Sequence, residues 1–88
     1  MEIEKHTIMM KVLHEIRDER FDQDKKWGEQ NHSPADWLMI IGEEIGEVNK
    51  AALEAKFGKE TLDNYRTELI QVAAVAVAMI ECYDRNLK

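Results

Sequence analysis

Three glutamates crowd into little more than one helical turn in the stretch "GEEIGEV": Glu43, Glu44 and Glu47. On a helix, Glu44 and Glu47 are i, i+3 neighbours and Glu43 and Glu47 are i, i+4 neighbours, so the side chains stand side by side. Like charges so placed cost a few tenths of a kcal/mol per pair. A solvated face would mix signs, whereas a divalent cation turns the repulsion into attraction. By helical angle Glu44 borders the apolar stripe, Glu47 lies next to it and Glu43 is further out. A second acid stands in the stretch "ELIQV", where Glu68 lies among Leu69, Val72 and Val75, with the oxygen donor Gln71 one turn on. An unpaired buried carboxylate costs several kcal/mol, so Glu68 needs a cation. That cation is either Arg17, Arg20 or Arg66, or a metal. Two helices thus each offer an i, i+3 oxygen pair, separated by residues 48–67, and an antiparallel hairpin can bring the pairs face to face. Such a set suits Mg²⁺, which takes carboxylate oxygens, keeps waters and accepts substrate phosphates.

Three helices must position these groups. The first is expected from about Glu4 to Lys26. Ile8, Met9, Val12, Leu13 and Ile16 form its apolar stripe, Phe21 and Met10 project off that stripe, and Gly28 serves as a C-terminal stop. After the loop "WGEQNHS", Ser33 as N-cap and Pro34 at the first position start the second helix. Asp36 stands in the Glu place of a capping box. This helix runs to about Phe57, with Trp37, Ile41, Ile45, Val48 and Ala52 on its apolar side, and Gly58 ends it. Thr61 caps the third helix, which runs to about Arg85. Its apolar positions are Leu62, Tyr65, Leu69, Val72, Ala73, Ala76, Ile80 and Tyr83, while Ile70, Val75, Val77 and Met79 point elsewhere around the cylinder. A helix apolar on nearly all sides must be covered on nearly all sides. The third helix is therefore expected at the centre of an assembly of two or more chains, with alanines allowing close approach.

Composition narrows the function classes. One domain spanning 1–88 is expected from the length, and a domain this small has a thin core that oligomerisation would supplement. The net charge of −6 excludes a nucleic-acid polymer as partner, because phosphate neutralisation needs an excess of Lys and Arg. It leaves open a small phosphorylated ligand whose contact a cation mediates. Cys82 is the single cysteine, which excludes an intrachain disulfide and a thiolate metal site and suits a reducing cytoplasm. The N-terminus lacks the pattern of a signal peptide. The apolar run 69–80 falls short of the ~20 residues that span a bilayer, so no membrane partner is expected. No glycine-rich phosphate loop and no Ser/His/Asp or Cys/His set is legible.

Other residues could meet a substrate. Trp27 could stack on a base or pack on the end of the bundle. Gln30, Asn31 and His32 could hydrogen-bond a base or sugar. Among the cations that could meet phosphates, Lys50, one turn from Glu47, and Arg66, near Glu68, are favoured over Lys25 and Lys26.

"EEIGE" followed by "ELIQ" resembles the E-x-x-E … E-x-x-D signature of MazG-like, all-α nucleoside triphosphate pyrophosphohydrolases. The stretch "RFDQDKKWGEQNHSPADWL" resembles the region before that signature in compact, stand-alone members, including phage-encoded ones. The similarity runs from about Arg17 to Glu81. It implies an all-α fold of three main helices, with a four-helix-bundle core completed by a second chain. It implies Mg²⁺-dependent cleavage of a nucleoside triphosphate to monophosphate and pyrophosphate, with Mn²⁺ able to substitute. By position Glu44, Glu47 and Glu68 would be metal ligands and Glu43 a further ligand or the group orienting the attacking water. Gln71 stands where the pattern has Asp. It is a neutral, weaker ligand and no base. That departure keeps a second function in play, a catalytically silent relative that binds nucleotides or a partner protein. A plain helical oligomerisation module is the third, and Glu68 inside an apolar helix speaks against it.

Overall fold

The computed structural model describes residues 2–86, with Glu2 described by its backbone alone. It contains three α-helices, α1 (Glu2–Trp27), α2 (Pro34–Lys56) and α3 (Asp63–Asn86), and among the described residues no strand. The all-α expectation holds, and each helix lies within about two residues of the predicted bounds.

The ends follow local chemistry. The Ser33 hydroxyl accepts the Asp36 N–H at 3.2 Å, ahead of Pro34 in the first turn. The return half of the capping box is not made, because the Asp36 side chain is one methylene shorter than the Glu that normally reaches back. Gly28 and Gly58 adopt φ of 73° and 74°, the left-handed geometry that ends helices and that side chains with a Cβ resist. The Gly28 N–H closes on Asp24 O at 2.8 Å and that of Gly58 on Ala55 O at 3.1 Å. Thr61 Oγ1 accepts the Asp63 N–H at 3.3 Å, as a cap should.

Helix α3 packs on α2 along one side and on α1 along another, while α1 and α2 do not pack on each other. Among the described residues, full burial is confined to Trp37, Ala51, Ala74, Val75 and Cys82. Trp37, Val75 and Cys82 form one cluster, with Ile40, Ile41, Ala78 and Met79 against it. Sequence periodicity selected the other side of α3. Leu62, Leu69, Ile80 and Tyr83 are exposed in the protomer, because α1 and α2 cover the sides carrying Ala74, Val75 and Cys82. On α1, Val12 and Ile16 are half-buried and Ile8, Met9 and Leu13 stay exposed, as do Met10 and Phe21.

Polar ties fix the remaining geometry. Arg20, its side chain only 11% exposed, donates to Glu81 on α3 at 2.7 Å and to Asp24 at 3.0 Å. Arg66 on α3 forks onto Glu15 of α1. Arg85 donates to Gln30 O and Asn31 Oδ1, both at 3.0 Å, and Asn86 to Asn31 Oδ1 at 3.0 Å. The loop between α1 and α2 is thereby tied to the C-terminal end of α3. Arg20→Ala should lower stability by about 1–2 kcal/mol, since it removes charge-assisted bonds between α1 and α3. Urea unfolding measures this, and Arg17→Ala, whose Arg17–Asp18 pair is exposed and within one helix, should change little.

Candidate metal and nucleotide site

The acids lie on facing parts of α2 and α3. Glu44 and Glu68 are half-buried, whereas Glu43 and Glu47 are exposed. Burial, followed by the charges of Glu68, Glu47, Glu43 and Glu19, holds the Glu44 carboxyl above its usual range. The charged groups that raise it are all glutamates. Among the described residues Glu43, Glu44, Glu47 and Glu68 form no ion pair. The salt-bridge account of Glu68 fails, because Arg17 pairs with Asp18, Arg20 with Glu81 and Asp24, and Arg66 with Glu15.

Gln71 joins the two halves. Oriented so that donors meet acceptors, its amide nitrogen donates to Glu68 Oε2 at 3.2 Å and Glu44 Oε2 at 3.3 Å. The residue in the Asp place of the signature thus binds both carboxylates as a neutral donor. Rotation of the same amide by half a turn would offer its oxygen instead.

A cleft of about 200 Å³ opens above this pair. Glu44 and Gln71 line it from α2 and α3, and Glu19, Asp22, Gln23, Lys26 and Trp27 line it from α1. Sequence reading did not single out Glu19 and Asp22, which sit in a polar run that reads as solvated. The available signal was spacing. Glu19, Asp22, Gln23, Lys26 and Trp27 recur every three or four residues and so share one face of α1. Trp27 is 61% exposed at the rim, with the Lys26 ammonium 4.9 Å from its ring centroid. It is not packed on the end of the bundle.

The other expected substrate residues are placed elsewhere. Lys50 is exposed, 4.0 Å from Glu54, and Arg66 is held by Glu15. Neither lines the cleft, where the cation is Lys26. Gln30 lines a separate cavity of about 180 Å³ beside Arg20 and Arg85. His32 stacks edge-on against Trp37, with ring centroids 4.7 Å apart, and lines a groove between α2 and α3.

The donor set fits a hard divalent cation. All its members are oxygen donors, it carries excess negative charge, and among the described residues its glutamates are in no ion pair, the cleft's Lys26 included. Among the described residues no three His, Cys, Asp or Glu side chains come together closely enough to hold a metal ion between them, so protein ligands would be one or two carboxylates. Mg²⁺ needs only one or two direct carboxylates, with water completing its octahedron.

The raised Glu44 pKa has a defined consequence. Ionisation is harder in the fold than in the unfolded chain, so Glu44 lowers stability as pH climbs from its ordinary 4.5 through the raised value. With divalent ions chelated, Glu44→Gln should be more stable than the parent near neutral pH, and the difference should vanish as pH falls below about 4.5. Thermal unfolding across that range measures both limbs. Compared with models of known families, with curated proteins and with solved structures, the chain matches none, and the chemistry of this cleft is what bears on its function.

Proposed function

We propose that the chain is a MazG-like, Mg²⁺-dependent nucleoside triphosphate pyrophosphohydrolase. It would convert a (d)NTP to the (d)NMP and pyrophosphate as a cytoplasmic homo-oligomer, dimer or tetramer. The observation that carries this reading is Glu44, raised by burial and by the charges of neighbouring glutamates and without an ion-pair partner, in the wall of a cleft rimmed by an exposed tryptophan and a lysine. A structural role would leave these charges paired or dispersed.

In this reading Glu44, Glu47 and Glu68 would hold the ion, Gln71 would be a further oxygen ligand, and Glu43 would orient water. The bound ion supplies charge neutralisation of the triphosphate and activation of water. Trp27 stacks on the base, and Lys26 meets a phosphate. Water would attack the α-phosphorus and pass its proton to solvent, the bond from phosphorus to the oxygen bridging to the β-phosphate would break, and pyrophosphate would leave with that oxygen. Glu19 and Asp22 enlarge the acidic wall on the α1 side.

A second reading rests on Gln71. An amide that donates to both Glu44 and Glu68 already satisfies part of their charge, which suits a catalytically silent binding module. Incubation with a panel of NTPs and dNTPs, with and without Mg²⁺, followed by chromatography of products, separates the two. The enzyme reading requires monophosphate and pyrophosphate that disappear with chelator and fall about 100-fold or more in Glu44→Gln and Glu68→Gln. Intact triphosphates across the panel would favour the silent module, and restored cleavage in Gln71→Asp would identify the cause.

A further inference from the structure

Cys82 of α3 lies in the wall of a groove of about 530 Å³, beside Trp37, Leu38, Met79 and Tyr83. The residue is 5% exposed. Its S–H donates to the His32 carbonyl at 3.8 Å, and its sulfur accepts from Asn86 Nδ2 at 3.6 Å. The chain has no second cysteine.

Trp37 distinguishes this thiol from one that is merely packed. Trp37 is 3% exposed, it lines the same groove, and its indole Nε1–H is buried without a hydrogen-bond partner. A buried donor left unpaired is unfavourable, so the site gains from an acceptor that the chain itself does not supply. The indole N–H is turned to the sulfur. It is the largest influence holding the Cys82 thiol below its usual range, with burial opposing it and Arg85 and Asn86 adding to it. It acts there without completing a hydrogen bond to the sulfur. An oxygen atom carried on the sulfur stands one bond further out and supplies the missing acceptor. An alkyl group in that place does not.

We propose that Cys82 is a site of reversible oxidation by hydrogen peroxide entering through the groove, and that the Trp37 indole N–H holds the sulfenate oxygen so formed. The thiol first gives its proton to solvent. The thiolate sulfur then donates an electron pair to one peroxide oxygen, the O–O bond breaks, and the other oxygen leaves as hydroxide. Sulfur is oxidised by two electrons and the peroxide is reduced. The sulfenic acid passes its proton to the hydroxide, which leaves sulfenate and water. Because the chain holds one cysteine, no intrachain disulfide consumes the product. A small thiol displaces the oxygen as water, and a second releases Cys82 as the thiol. None of this depends on the metal and nucleotide chemistry proposed for the cleft of Glu44.

The test treats the full, reduced chain with hydrogen peroxide, quenches with catalase and then counts free thiol after unfolding, so that the loss reports Cys82 alone. The folded chain should lose its thiol about 10-fold faster than the same chain unfolded in urea at the same pH. Dimedone should trap an adduct on the peptide holding Cys82, and dithiothreitol in its place should restore the thiol. Methionine oxidation registers in neither readout. Trp37→Phe keeps a ring against His32 and removes the N–H, and it should slow the reaction about 10-fold. A folded chain that reacts no faster than the unfolded one overturns the proposal, and that comparison decides should Trp37→Phe fail to fold. Thiol loss without a dimedone adduct overturns it as well, as does a folded Trp37→Phe chain that reacts at the parent rate.

Discussion

Uncompensated negative charge between α2 and α3 is the constraint from which the rest follows. All four arginines in the sequence pair with other acids: Asp18, Asp24 and Glu81, Glu15, and Glu29. These pairs brace α1 on α3 and the loop on α3. None reaches Glu44 or Glu68. The fold places its arginines at the edges and leaves the half-buried glutamates to one another, and the proposed divalent-cation site rests on that arrangement. The amide of Gln71 eases their repulsion without cancelling it, because it supplies hydrogen bonds but no charge.

Helix α3 lets one small chain support that arrangement. One side meets α1, another meets α2, and Glu68 and Gln71 emerge where they can face Glu44. The third side is apolar and open. Charge and apolar surface are thereby segregated on opposite sides of the α2–α3 pair. The acids keep access to solvent, and the apolar side stays exposed beside the five buried residues of the described core.

Much of this was legible in the sequence. Ser33–Pro34, Gly28 and Gly58 act through local backbone chemistry, so the helix bounds could be read directly. The i, i+3 relation of Glu44 to Glu47 and of Glu68 to Gln71 is fixed by helical geometry alone. The buried side of α3 was not legible, because apolar residues surround the helix and periodicity cannot say which neighbour covers which side. Nor was the contribution of α1 to the cleft. Glu19 and Asp22 face Glu44 only through tertiary packing, and a polar run on a helix reads as solvated. Gln30 and His32 looked like ligand contacts because their types suit that role. The structure places them away from the cleft of Glu44: the Gln30 backbone carbonyl accepts from Arg85, and the His32 ring packs edge-on against Trp37. Arg66 looked available to a phosphate because its partner Glu15 is far away in sequence.

The central claim is that Glu44 and Glu68 belong to one divalent-cation site. Titration of the apo-protein with Mn²⁺, followed by electron paramagnetic resonance of the free ion, tests it without reference to substrate. The account predicts saturable uptake of at least one ion per chain, displaced by excess Mg²⁺ and lost in both Glu44→Gln and Glu68→Gln. Weak, non-saturating uptake equal in the parent and both variants would contradict it.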